Sequence, residues 1–355
     1  MNIAVTGFFG TGSSAVLDLL KEYDGVVTVP QTGHAYEHSV FFVPGGLFSL
    51  CSQLLHGNSP QGSDMVVNNF VDAMRRLNDN DFGWFGSYKA MFGDEFMNIV
   101  NRFVERISVV RASSNSNHAL GVRFSLAKAV AQYVMHILKK RSVTKYGTWY
   151  IKDKKPVYFS MPTEDELYAA AREFTSGYMS LFAKNTNSRH LIFDHLIWPQ
   201  QVSEFRRCFD DSLKVIVSMR DPRDVYVSDQ FIWSEPPMGH SKAHFPSNVE
   251  DFVDEWRRTM ALTSKSDNLM VVHFEDLVCH YEATKAEIEK FLGIEPSQHT
   301  RAKQFFRPEA SIENSQVFLL RDEWRTLADK IASGLPEYIH DFGEERVPNK
   351  KLIFK

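Results

Sequence analysis

Two short stretches of this chain carry residue types suited to holding phosphate. The first is the opening run Met1-Asn-Ile-Ala-Val-Thr-Gly-Phe-Phe-Gly-Thr-Gly-Ser-Ser14. Gly7, Gly10 and Gly12 are free to take backbone angles that other residues avoid. A turn of this kind aims several N–H groups at one anion, and a helix behind it adds the positive end of its dipole. The second stretch is Arg220-Asp-Pro-Arg-Asp-Val-Tyr-Val-Ser228. Arg220 offers a planar fork that matches a phosphate, and Ser228 offers a hydroxyl donor. The plainer alternative is an ion pair of Arg220 with Asp221 or Asp224.

The first stretch nearly satisfies the G-x-x-x-x-G-K-[ST] loop of nucleoside-triphosphate binders, running from Gly7 through Gly12 to Ser14. Ser13 stands where that pattern has the lysine that reaches the β/γ-phosphates. A loop kept without its lysine points to a ligand with a different terminal group. A glycine-rich turn with no ligand is the alternative.

Both stretches need strands and helices to place them. Ile3–Thr6 reads as a short buried strand, followed by a helix from Ser14 to about Tyr23. Val26–Val29, His190–Phe193, Leu213–Met219 and Leu269–Phe274 read as further strands. Thr163–Glu166 and Ser247–Glu250 are capping boxes that start helices, and another helix runs from Tyr281 to Leu292. Pro222 suits the first turn of a helix beginning near Asp221, with Asp224 and Ser228 on one face. Leu47–Lys140 is mainly helical by spacing: Phe70, Met74 and Leu77, then Phe96, Val100 and Phe103, then Leu126, Val130, Val134 and Leu138. Thr148–Tyr158 is expected to be extended and basic.

This alternation predicts an α/β fold of three layers. A mostly parallel central sheet carries helices on both faces. We expect one domain over 1–355, with 47–145 as a helical insertion that either faces the acceptor or only packs. Loops beyond the strand ends are where such sheets bind ligands, which places both stretches at one rim.

Composition excludes several classes. The chain has 355 residues, 43% hydrophobic and 24% charged, with a formal net charge of −4, so no nucleic-acid partner is expected. Cys51, Cys208 and Cys279 are far apart and odd in number, which gives neither a metal spacing nor a disulfide framework. No signal-peptide pattern opens the chain and no apolar run approaches the roughly 20 residues of a membrane helix. A reducing, cytoplasmic setting is expected.

Arg220-Asp-Pro-Arg-Asp224-Val-Tyr-Val-Ser228 resembles the R-x-P-x-D-x-x-x-S signature of sulfotransferases that use 3′-phosphoadenosine 5′-phosphosulfate (PAPS). Thr11-Gly-Ser-Ser14 resembles the 5′-phosphosulfate loop of that family, a relative of the P-loop. Val271-Val-His-Phe-Glu-Asp-Leu277, with Phe291-Leu-Gly-Ile294 after it, is similar to the family's R-Y-E-D-L strand and F-L-G helix end. The resemblance touches about residues 1–45 and 190–320, in the family's order. It implies a P-loop-type fold and a PAPS-dependent sulfotransferase that releases adenosine 3′,5′-bisphosphate (PAP) and needs no metal. Donor contacts would come from Gly10, Thr11, Gly12, Ser13 and Ser14 at the 5′ end and from Arg220 and Ser228 at the 3′-phosphate. Phe305–Ser315 resembles the family's C-terminal donor loop, which implicates Arg307.

One departure bears on mechanism. The family usually has Lys or Arg just before the Thr/Ser-Gly pair, and this chain has Gly10. Lys152, Lys154, Lys155, Arg123 and Arg307 are candidates to supply the missing cation. Two residues are candidate general bases. Glu37, in Tyr36-Glu-His-Ser-Val-Phe-Phe42, is similar in setting to the base of heparan-type sulfotransferases. His195, in Asp194-His-Leu-Ile-Trp-Pro199, is similar to the base of cytosolic sulfotransferases. His34 and His38 are further possibilities, and Trp256 either flanks an adenine or packs in the core. The Glu37 stretch leans toward a carbohydrate or glycolipid acceptor, and the aromatic insertion suits a lipid or aromatic alcohol equally. A P-loop small-molecule kinase and a non-catalytic nucleotide-binding protein are the rival readings.

Overall fold

Each apolar run singled out as a strand forms part of one parallel sheet. The computed structural model describes residues 1–29, 38–79, 87–115, 130, 133–134, 154–184, 186, 188–233, 246–261 and 268–354. They fall into two compact units, one of residues 1–38 and 179–355, the other of residues 39–178.

The first unit holds β1 (Asn2–Gly7), β2 (Val26–Val29), β5 (His190–Asp194), β6 (Lys214–Met219) and β7 (Leu269–His273) in the order β2-β5-β1-β6-β7. All four pairings are parallel. Ile3, Val5, Ile192 and Ile216 pack against Val16, Leu17 and Leu20 of helix α1 (Ser13–Leu20). Ala4, Phe193, Val215 and Val217, which alternate with them along the strands, are also fully buried. Both faces of the central strands are therefore covered, while the edge strand β7 leaves Val271 exposed. This is the expected α/β fold. Helix α1 ends at Leu20, before the expected Tyr23, and residues 21–25 turn into β2.

Register decides what meets at the rim. Val5 lies opposite Asp194 on one side and Ile216 on the other, and Gly7 lies opposite Ser218. The central strands β5, β1 and β6 thus deliver three loops to one end of the sheet. These loops begin at His195, Phe8 and Arg220. The order of strands changes direction at β1, and such a switch point opens a crevice beyond the carboxyl ends.

The second unit contains the helices Leu47–Leu55, Pro60–Asp79, Tyr88–Phe92 and Glu95–Ile107 and most of Glu164–Ala183. Phe70, Met74, Leu77, Phe96, Val100 and Phe103 are buried as their spacing predicts. Leu126 and Leu138 lie outside the described residues. One element departs from the helical expectation: β3 (Val110–Asn115) pairs antiparallel with β4 (Lys154–Phe159). In its sequence VRASSN only Val110 and Ala112 alternate with polar residues, a pattern too short to announce a strand.

The Thr163 box is present, with the Thr163 N–H donating to Glu166 Oε2 at 2.9 Å and the Glu166 N–H to Thr163 Oγ1 at 3.4 Å. The second cap is shifted by one residue. Asn248 Oδ1, rather than Ser247, accepts the Asp251 N–H at 2.8 Å, and the helix runs Val249–Ala261. Among the described residues no helix is long and apolar enough to cross a membrane.

Candidate active site

The loop after β1 is a tight turn held by its own groups. Thr11 is fully buried, and its N–H and Oγ1 both donate to Phe8 O, at 3.1 and 2.8 Å. Ser218, at the end of β6, donates through Oγ to Thr11 O at 2.6 Å. Thr11 therefore braces the loop, while Gly12 caps α1 at φ 83°. A Cβ at Gly12 would stand 2.9 Å from the Phe274 ring. Ser13 and Ser14 open the helix, where backbone N–H groups have no intrahelical partner. No acidic residue sits in that first turn to offset the dipole.

Gly10 has φ 77°, a left-handed angle that strains other residues. A Cβ there would lie 2.8 Å from Trp233 Cη2. The indole is brought to this spot by a widened turn, Ser228–Ile232, closed by the Trp233 N–H donating to Ser228 O at 2.8 Å. Trp233 therefore covers the loop at the position where the resemblance calls for Lys or Arg. Phe9 meets Trp233 edge-on at 5.6 Å.

Arg220 leaves β6 and is 4% exposed. Its NH1 donates to Gly10 O at 3.2 Å, and its NH2 approaches Ser228 Oγ at 3.4 Å and Asn314 O. Its Nε is buried with no partner among the described residues. The guanidinium lies 5.3 Å from the Phe274 ring centroid and 5.7 Å from that of Phe354. The ion-pair alternative does not hold for Asp221, which takes Arg223 instead, Nε to Oδ1 at 2.9 Å and NH2 to Oδ2 at 2.7 Å. Asp221 also caps the Pro222–Val227 helix by accepting the Arg223 N–H at 2.8 Å.

Asp224 instead accepts the N–H groups of Gln316 and Val317, each at 2.7 Å. Burial pushes its carboxyl up to about 7, against the pull of Arg220 and of those two N–H groups. Asp224 so fixes the segment that carries Asn314. Glu275 accepts the Asp221 N–H at 2.8 Å, and burial pushes its carboxyl up to about 8. Residues 344–354 run along the same segment. Gln316 Nε2 donates to Glu344 O at 3.2 Å, the Arg346 N–H to Gln316 Oε1 at 3.0 Å, and the Phe354 N–H to Asn314 Oδ1 at 2.7 Å. The Phe354 ring then meets Trp233 at 5.2 Å.

His195 follows β5 in a left-handed conformation, φ 51°, with its N–H donating to Val5 O at 2.9 Å. Nδ1 stands 2.6 Å from Asp194 Oδ1, a close contact whose angle is off the line of a hydrogen bond. The ring rests against Trp198 at 4.9 Å.

These groups surround one cavity of about 570 Å³, a size suited to a nucleotide-scale ligand. Gly10, Thr11, Gly12, Ser13, Ser14, His195, Arg220 and Arg307 all line it. Ser228 stands behind the wall, joined to Arg220. Glu37 and His34 lie outside the described residues, as do Lys152 and Arg123. The backbones of Lys154 and Lys155 belong to β4. His38 is a core residue: its Nε2 is 3.1 Å from Val29 O, Phe182 and Phe193 flank it, and burial lowers its pKa to about 4. Trp256 is likewise buried, against Phe252.

Four contributors went unread in the sequence: Ser218, Trp233, Asn314 and Phe354. Ser218 carried a faint signal, a polar residue inside the buried run Leu213–Met219. Asn314 lay inside a stretch already singled out, Phe305–Ser315. Trp233 and Phe354 had none, because a widened turn and a returning C-terminal segment bring them in.

Comparison with known proteins adds a family. A model of the sulfotransferase family matches residues 3–298. The crystal structure of sulfotransferase STF9 from Mycobacterium avium is a remote likeness. The alignment is 11% identical, covers 98% of this chain and 78% of that one, and has a TM-score of 0.36. No curated protein matches the chain in sequence.

Proposed function

The chain belongs to the sulfotransferase family, and we propose that it moves a sulfuryl group from PAPS to a hydroxyl or amine of a carbohydrate or glycolipid. The observation that carries the donor assignment is Arg220. It is a buried cation, it touches Ser228, and it lines the same cavity as the Gly10–Ser14 loop. A guanidinium on the wall of a cavity that also holds a helix N-terminus suits an anion. One nucleotide with phosphate at both its 3′ and 5′ positions meets both groups. Gly12, Ser13 and Ser14 hold the 5′ end, Thr11 keeps their turn rigid, and Arg220 with Ser228 holds the 3′-phosphate.

The acceptor oxygen or nitrogen attacks sulfur in line. The new bond to sulfur forms as the bond from sulfur to the 5′-phosphate oxygen breaks, and PAP leaves with that electron pair. The acceptor proton passes to a general base. His195 lines the cavity, which supports this role. Glu37 is the other candidate, on sequence grounds. Donor groups in place before the reaction stabilise the charge that builds on the leaving phosphate. Trp233 fills the place of the family's loop cation, so Arg307, the second cation on the cavity wall among the described residues, takes that task. We assign acceptor recognition to the 47–145 insertion of a single 1–355 domain and, from the cysteine usage, place the protein in the cytoplasm.

A second reading is nucleotide binding without transfer, favoured by Trp233 over Gly10. Calorimetry with PAP and with ATP plus magnesium tests the donor assignment. PAP binding without ATP binding is expected, and the reverse overturns it. Transfer of labelled sulfate to an acceptor then excludes the second reading.

A further inference from the structure

Two lips of the cavity are tied together by a carboxylate that lies outside every motif described above. One lip is the Gly10–Ser14 loop, which leads into helix α1. The other begins at Phe305, Phe306 and Arg307. Glu22 follows the last turn of α1 and is fully buried. Its Oε1 accepts the N–H groups of Phe305 and Phe306, at 3.0 and 2.9 Å. Its Oε2 stands 2.7 Å from His299 Nε2. The backbone adds to the join. The Arg301 N–H donates to Glu22 O at 3.1 Å, the Asp24 N–H to Gln298 O at 2.8 Å, and Arg301 NH2 to Tyr23 O at 2.9 Å. The Tyr23 ring stacks on His299 at 4.6 Å.

Backbone N–H groups that end on a buried carboxylate form strong, directional bonds. They fix Phe305 and Phe306 immediately before Arg307. The helix that presents the phosphate loop at one end therefore anchors the facing lip from its other end.

We propose that Glu22 is a positioning residue of the donor site: it sets the separation between the phosphate loop and the Phe305–Arg307 lip that the bound nucleotide spans. This rests on the PAPS reading above. The carboxylate touches no ligand. It acts by keeping one lip from drifting when the nucleotide, which needs both, arrives.

Two substitutions separate positioning from bulk. Glu22→Ala removes the acceptor of both N–H groups. Glu22→Gln keeps Oε1 for them, and its amide meets His299, which accepts at Nε2 when its proton sits on Nδ1. PAP affinity is measured by calorimetry at a temperature where each variant is folded by circular dichroism. Glu22→Ala should weaken PAP about 10–100-fold, the range found for outer partners that orient metal ligands. Glu22→Gln should bind PAP like the parent.

Hydrogen exchange on the unmodified protein gives a second reading should Glu22→Ala not fold. The Phe305 and Phe306 amides, held on Glu22 Oε1, should exchange slowly even before PAP is added. Parental PAP affinity in folded Glu22→Ala overturns the proposal, and so does rapid exchange of the 305–306 amides in the unliganded protein. Failure of the unmodified protein to bind PAP sinks the donor assignment and this proposal together. Normal binding by the parent confines any failure to Glu22.

Discussion

Gly10→Ala probes the point where this chain departs from its family, and its cost can be worked out in two parts. The backbone part comes from φ 77°, where an L-residue costs about 1–2 kcal/mol. The packing part comes from a Cβ placed 2.8 and 2.9 Å from two carbons of the Trp233 ring, with Val225 Cγ1 at 3.5 Å. Overpacking of that kind costs about 1–3 kcal/mol. The expected loss in folding stability is therefore about 2–5 kcal/mol.

Gly293 supplies the control. It caps the Tyr281–Leu292 helix at φ 67°, and among the described residues nothing lies within 4 Å of where its Cβ would be. Gly293→Ala should cost only the backbone part, about 1–2 kcal/mol. Urea unfolding of both variants reads the difference directly. Combining Gly10→Ala with Trp233→Leu should then cost less than the sum of the single changes, because the second change removes the atoms the first runs into. A Gly10→Ala variant no less stable than Gly293→Ala, or strict additivity in the double variant, would refute the claim that Trp233 occupies the space over Gly10.

Two further outcomes follow from the site. If His195 is the base, His195→Ala should lower kcat about 10²–10⁴-fold while PAP affinity stays at the parental value; a kcat near the parent's would pass the role to Glu37. Glu275 predicts a pH trend. Burial raises its pKa from 4.5 to about 8, so the folded chain keeps a proton that the unfolded chain releases. The stability this contributes is whole below the unfolded pKa and is lost as pH rises through the folded one. Its slope is at most about 1.4 kcal/mol per pH unit between those values. Glu275→Gln should flatten that fall in a series of urea midpoints from pH 5 to 8, and equal slopes in both proteins would contradict it.

The sequence announced the parts of this molecule whose causes are local. Five apolar runs became five parallel strands, and the three central ones, β5, β1 and β6, are the most apolar because they are buried on both faces. Both phosphate-type stretches follow central strands, so the fold class alone carried them to one rim. The unread parts have distant causes. Trp233 reaches Gly10 only because the chain widens by one residue per turn after Ser228. Phe354 reaches Arg220 because residues 344–354 return along Asn314. Glu22 read as an ordinary charged residue near a helix end until residues 299–306 folded over it. β3 was hidden for another reason: VRASSN alternates only over its first four residues, and its partner β4 lies far along the chain.

The central claim is that one nucleotide is gripped at both ends, with Arg220 on its 3′-phosphate. The direct test compares PAP with adenosine 5′-monophosphate, which lacks only that phosphate, on the parent and on Arg220→Ala. The parent should prefer PAP, and Arg220→Ala should lose about 1.5–3 kcal/mol of that preference, the worth of a charge-assisted hydrogen bond. An equal preference for PAP in the two proteins would mean that Arg220 does not hold the 3′-phosphate, and the two-ended grip would fall with it.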